Sequence, residues 1–125
     1  MKYLKSYKLF ESVGNDLPDI LLEINDESLW KAECWSESQT GKWVVVIQTV
    51  DEDEEYELEG QTPPPIVIES IERSIDFMNG EGFTNYQITF DNEDDNQYEE
   101  ITLEEVSDLD VWPNNFIRIE FWNNI

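Results

Sequence analysis

The chain has 125 residues, the common size of one domain and long enough to bury a core without disulfide staples. Thirty Asp and Glu against seven Lys and Arg give a formal net charge of −23. That balance excludes nucleic acid as a direct ligand, since phosphates would meet carboxylates, while five Trp, five Tyr and six Phe exclude a disordered acidic tail.

Residues Met1 to Ser12 set Tyr3, Leu4, Tyr7, Leu9 and Phe10 between Lys2, Lys5 and Lys8. This is a basic N-terminal arm (1–12) for which both a helix and a strand can be drawn, and which can lie across an acidic body. Asn15 to Ile24 reads as a short helix: Asp16 can cap it, Pro18 falls in its first turn, and Leu17, Ile20, Leu21 and Ile24 recur at helical spacing. Asn25, Asp26 and Ser28 form a turn. Trp30, Ala32 and Cys34 alternate with Lys31, Glu33 and Trp35, predicting a strand over Leu29 to Ser36. Gln39, Thr40 and Gly41 then turn the chain into a second strand, Trp43 to Val50, whose Val44 to Ile47 are β-branched, so the two make a hairpin.

Asp51 to Glu55 is an acidic loop, followed by a strand at Tyr56 and Leu58 whose other face shows Glu55, Glu57 and Glu59. Thr62 to Asn79 predicts the main helix, with Thr62 as cap, prolines 63 to 65 at its start, and Ile68, Ile71, Ile75 and Met78 in one apolar stripe. Glu69 and Arg73 make an i,i+4 pair on its far side, and Gly80 takes the left-handed position that ends it. Thr84 to Phe90 alternates Tyr86, Ile88 and Phe90 against Gln87 and Thr89, a strand; Asp91 to Asn96 is a second acidic run and a turn; Tyr98 to Leu103 pairs back. Thr102 with Glu105 has capping-box spacing for a short helix through Val106 and Leu109, which Pro113 and Asn114 break. Phe116, Arg118, Glu120 and Trp122 lie on one side of a closing strand, and Ile117, Ile119 and Phe121 on the other.

There is no internal repeat or long linker. Strands grouped around one main helix predict a single α+β domain over 1–125. It would hold an antiparallel sheet of about five to six strands, with the main helix (about 63–79) and one or two short helices packed on one face. The charge should then fall on the exposed sheet face, the strand ends and the loops.

Several chemistries lack their residues. Without histidine there is no Ser–His or Cys–His dyad and no common zinc ligand. Cys34 stands alone, so it forms no intrachain disulfide and reads as a buried reduced thiol of a reducing compartment, the cytoplasm. The five glycines make no phosphate loop. Asp91, Glu93 and Asp95 match the first ligand positions of an EF-hand loop, but Asn96 stands where Gly is needed and Thr102 where Glu is. No signal peptide is visible, and the longest apolar run, around Trp43 to Ile47, is too short to span a bilayer. The reading is therefore of a non-enzymatic protein with no cofactor, no metal and no membrane partner.

What remains is the acid itself. Seven of the nine residues from Asp51 to Glu59 are acidic, namely Asp51, Glu52, Asp53, Glu54, Glu55, Glu57 and Glu59. Six of the ten from Asp91 to Glu100 are acidic as well: Asp91, Glu93, Asp94, Asp95, Glu99 and Glu100, followed by Glu104, Glu105, Asp108 and Asp110. Alternate strand residues recur at roughly 6.6 Å and neighbouring strands at roughly 4.8 Å, whereas each DNA strand carries a phosphate per about 3.4 Å of axis. Carboxylates on such a grid can approximate a row of phosphates, and Lys/Arg grooves would bind them quickly and with strong salt dependence. The alternative is that these acidic loops are solvated and contact nothing. Trp35, Trp43, Tyr56, Tyr98, Trp112 and Trp122 are numerous enough to supply interface anchors as well as core, with Trp43 and Trp122 assigned to packing.

The opening Met1-Lys2-Tyr3-Leu4-Lys5 through Lys8-Leu9-Phe10-Glu11-Ser12 resembles the starts of many tailed-phage proteins. In general character the chain is similar to phage-encoded DNA-mimic inhibitors of restriction or CRISPR nucleases, a resemblance in kind and not in motif. It implies a basic host partner, a nucleic-acid-binding nuclease or complex, met in the host cytoplasm. Competing readings are an immunity protein against a basic toxin nuclease, a small virion structural or assembly protein docking through Lys2 to Phe10, and a carboxylate–metal enzyme holding Mg²⁺ or Mn²⁺.

Overall fold

A computed structural model describes residues 2–26, 30–37, 39–49, 61–92, 97–111 and 115–123, with the backbone alone for 2–13, 92, 97 and 98. Their elements are α1 (Lys2–Asn25), β1 (Trp30–Ser36), β2 (Trp43–Thr49), α2 (Pro65–Gly80), β3 (Asn85–Asn92), β4 (Gln97–Ile101), α3 (Leu103–Val106) and β5 (Asn115–Trp122). The five strands form one sheet in the order β1-β2-β5-β3-β4, antiparallel at every pairing. This is the α+β architecture the sequence predicts. The strand expected at Tyr56 and Leu58, and the break at Pro113 and Asn114, lie outside the described residues.

Period-two alternation sorts the two faces of the sheet. One row of residues crosses all five strands: Cys34, Val45, Ile119, Ile88 and Ile101. Beside it run Ala32, Ile47, Ile117 and Phe90, and then Trp43, Phe121 and Tyr86. Leu17, Leu21 and Ile24 of α1, with Val67, Ile71 and Met78 of α2, join this face in the core cluster. Among the described residues, helices therefore cover one face only. The other face carries Trp35, Val44, Glu120 and Gln87 in one row and Glu33, Val46, Arg118, Thr89 and Glu100 in the next.

Local signals fared differently. α1 runs through the expected arm and the expected short helix as one element of 24 residues, with Pro18 inside it and Asp16 mid-helix, so neither marks a start. Leu17, Leu21 and Ile24 are fully or almost fully buried, and that packing outweighs the one hydrogen bond Pro18 removes. α2 begins at Pro65 without a side-chain cap, so Thr62 does not cap it. The capping box at Thr102 and Glu105 is present in both directions.

The end of α2 also shifts. Gly80 is its last helical residue, and the left-handed position belongs to Gly82, at φ 102°. Phe83 N–H donates to Met78 O at 2.9 Å and Gly82 N–H to Asn79 O at 3.2 Å, a Schellman arrangement with buried Phe83 against buried Met78. A Cβ at residue 82 would meet nothing within 4 Å, so the constraint is backbone conformation and not space. Gly82→Ala is expected to cost about 1–2 kcal/mol, read as a lower urea midpoint with an unchanged m-value. Gly80→Ala should be neutral or stabilising.

The edges of the sheet are blunted. At β1, the Asn25 side chain accepts from Ala32 N–H at 2.8 Å and donates to Ala32 O at 3.4 Å, pairing an edge residue as a neighbouring strand would. At β4, Glu99 and Glu100 are exposed on opposite faces, and charge there opposes edge-to-edge association.

Candidate partner-binding surface

Most of the acids singled out in the sequence (Asp51, Glu52, Asp53, Glu54, Glu55, Glu57, Glu59, Glu93, Asp94 and Asp95) lie outside the described residues. Glu99 and Glu100 are exposed on β4. Asp91 is a correction. It does not sit in a surface turn but within β3, paired across to Tyr98 and Phe116, and is only 3 % exposed. β3 extends through Asn92 because it has a partner strand on each side, and Asp91 is drawn into the sheet with it. Its carboxylate offers nothing to a surface partner.

The helical layer adds acids of α1 and α2, outside the runs read from the sequence, to those already read at Glu104, Glu105, Asp108 and Asp110. Glu69, Glu72 and Asp76 are exposed on α2, opposite buried Val67, Ile71, Ser74 and Met78. Their i, i+3, i+7 spacing places them on one side of the helix, rising about 4.5 and then 6 Å along its axis. Asp16, Asp19, Glu23 and Asp26 are exposed along α1 and just beyond it, and Glu104, Glu105, Asp108 and Asp110 on and after α3. The signal was in the sequence, as the polar positions between the apolar stripe of α2.

The expectation placed charge on the exposed sheet face, the strand ends and the loops; most of the acidic loops lie outside the described residues, and the open face carries charge of both signs. That face holds three of the four described cations. Arg118 reaches Glu120 at 3.0 Å and Glu37 at 3.4 Å, Lys42 reaches Glu120 at 3.7 Å and lies 5.3 Å from the Trp122 ring centroid, and Lys31 reaches Glu33 at 2.8 Å. The fourth, Arg73, bonds Glu23 of α1 at 3.0 Å, and not the expected Glu69, because α1 packs alongside α2. Every described basic side chain is thus already matched by a carboxylate. Among the described residues, no cation but Arg73 lies on α2 or α3, and it is held by Glu23.

Aromatic placement follows the same division. Trp43 is buried in the core, as expected, and Trp122 is half-buried beside Lys42. Trp35 is 42 % exposed on the open face, and Tyr86, which strand alternation sets on the side of Ile88 and Phe90, is 46 % exposed. Tyr56 and Trp112 lie outside the described residues, and of Tyr98 only the backbone is described.

A groove of about 590 Å³ opens between α2, α3 and the start of β3, lined by Ile68, Glu72, Tyr86, Thr102, Leu103, Glu104 and Ser107. A second, of about 360 Å³, lies between α1 and β1 and includes Pro18, Leu22, Cys34 and Trp35. Burial pushes the half-buried Cys34 thiol above its ordinary value, which keeps it protonated and unreactive near neutral pH. Among the described residues, no group of three or more Cys, Asp or Glu side chains is placed to hold a metal ion. No helix among them is long and apolar enough to cross a membrane.

No protein family, curated protein or solved structure was found to match the chain.

Proposed function

We propose that this chain is an acidic binding protein that occupies the positively charged nucleic-acid-binding surface of a partner. In character this is the role of a phage-encoded nucleic-acid mimic inhibiting a host defence nuclease of the CRISPR or restriction type. The observation that carries the reading is the uncompensated charge. The chain has a formal net charge of −23, and all four described cations are already committed to carboxylates. The remaining acids repel one another across a folded body, which costs stability. A basic partner offsets that cost on binding.

The chemistry is that of contact and not of turnover. Carboxylates stand in for phosphates toward Lys and Arg, and bidentate Arg–carboxylate pairs have the same fork geometry as Arg–phosphate pairs. The chain needs no cofactor for this, and it would meet its partner in the host cytoplasm.

Competitive capture tests the proposal. Immobilised protein should retain a basic nucleic-acid-binding protein from host lysate at about 0.1 M salt and release it near 1 M, where the screening length falls from about 10 Å to about 3 Å. Duplex DNA or RNA added at low salt should also displace it, because decoy and nucleic acid claim one surface. A captured partner that binds nucleic acid while still held, or that resists salt, would show that the contact is not mimicry.

A further inference from the structure

Among the exposed carboxylates two are set apart by their surroundings. Glu72 of α2 and Glu104 of α3 line the same groove, and neither side chain has an ion-pair or hydrogen-bond partner among the described residues. The groove is not uniformly polar. Ile68 and Leu103 give it apolar lining, and Tyr86 stands 46 % exposed in its wall. The capping box at Thr102 fixes the start of α3 and so the place of Glu104 beside it. An exposed phenol, two aliphatic side chains and two unmatched carboxylates therefore share one concavity.

Resting on the mimic reading, we propose that this groove is the subsite that receives an arginine side chain of the basic partner. The aliphatic stem of an arginine covers apolar surface such as that of Ile68 and Leu103 while its charged head stays polar. The planar guanidinium can lie over the Tyr86 ring, a cation–π contact. Its fork of N–H donors has Glu72 and Glu104 as acceptors. Arginine suits this lining better than lysine, being flatter, more weakly hydrated and able to stack. The groove thereby joins an apolar and aromatic anchor to a surface otherwise made of dispersed charge, and anchors of that kind concentrate binding energy.

The test is a titration of the folded protein with a short acetylated, amidated peptide alternating arginine with leucine, followed by NMR at the Tyr86 ring and the Ile68 and Leu103 methyls. Those signals should move together. The Glu72→Gln, Glu104→Gln double variant and the Tyr86→Leu variant should each weaken binding by about five- to tenfold. A charge-matched control, Asp19→Asn with Asp26→Asn, should change it less than about twofold. The same peptide with citrulline for arginine should bind far more weakly.

Equal losses from the groove and control variants, or equal binding of the citrulline peptide, would overturn the assignment. So would shifts confined to the β1 groove near Trp35. Folding of each variant is checked by its circular dichroism and by dispersion of the same spectra. The outcomes separate from those of the mimic reading. If the groove variants keep the captured partner as tightly as the parent does, the arginine subsite falls and mimicry stands. If the peptide seats in the groove while nucleic acid never displaces the partner, mimicry falls and the subsite stands.

Discussion

Ile119→Ala is expected to destabilise the fold by about 2–5 kcal/mol, the range for truncating a fully buried aliphatic side chain that cannot be refilled. Ile119 sits on the central strand, opposite Val45 on one side and Ile88 on the other, in a core-facing row that crosses all five strands. Neighbours on both flanks are held by their own strands and cannot collapse into the space. Val46→Ala, on the partly exposed open face, should cost less than half as much. A domain of this size has roughly 5–15 kcal/mol to lose, and self-repulsion lowers the margin. The Ile119 variant should therefore be substantially unfolded in low salt and regain structure as salt screens the repulsion. Urea unfolding at two salt concentrations measures both effects; a loss under about 1 kcal/mol would mean that the core is centred elsewhere.

What could be read from the sequence here is what depends on neighbours along the chain. The two faces of β5, the alternation in β3, the stripe of α2 and the capping box of α3 all follow from periodicity or short spacing. The place of β5 does not. The last of the described strands lies in the middle of the sheet, and nothing local to Asn115–Trp122 distinguishes a central strand from an edge. α1 shows the opposite failure. Asp16 and Pro18 are good start signals, but burial of Leu17, Leu21 and Ile24 favours one continuous helix over a break at the proline. Likewise Gly80 and Gly82 both offer a helix end, and the chain takes the second, where Phe83 joins Met78 in the core cluster.

The candidate surface was legible as an amount of charge and not as a place. Contiguous runs attract attention, yet pairing on both sides drew Asp91 out of its run and into the sheet. Glu69, Glu72 and Asp76 are separated by other residues in the sequence and gather only when the helix forms. Glu104 joins Glu72 only when α3 packs near α2. Arg73 lost its expected partner Glu69 for the same reason, since a carboxylate fifty positions away on α1 lies closer to hand.

Two charge-neutralising replacement sets should each weaken capture of the basic partner by about tenfold or more at physiological salt. One converts Asp51, Glu52, Asp53, Glu54 and Glu55 to Asn and Gln; the other converts Glu69, Glu72, Asp76, Glu104 and Asp108. Both remove the same charge, so a slower association rate is expected from either, as steering depends on the field of the whole molecule. Dissociation is the more telling rate. Side chains that touch the partner hold it in place, so their loss speeds its release, whereas distant charge affects encounter alone. The helical-layer set includes both carboxylates of the groove and should raise the dissociation rate. The melting temperature should rise in both sets, because each relieves like-charge repulsion, and a protein that binds less while melting later has not lost binding by unfolding. Affinity that fell less than about threefold in both sets would leave the carboxylates without a part in the contact.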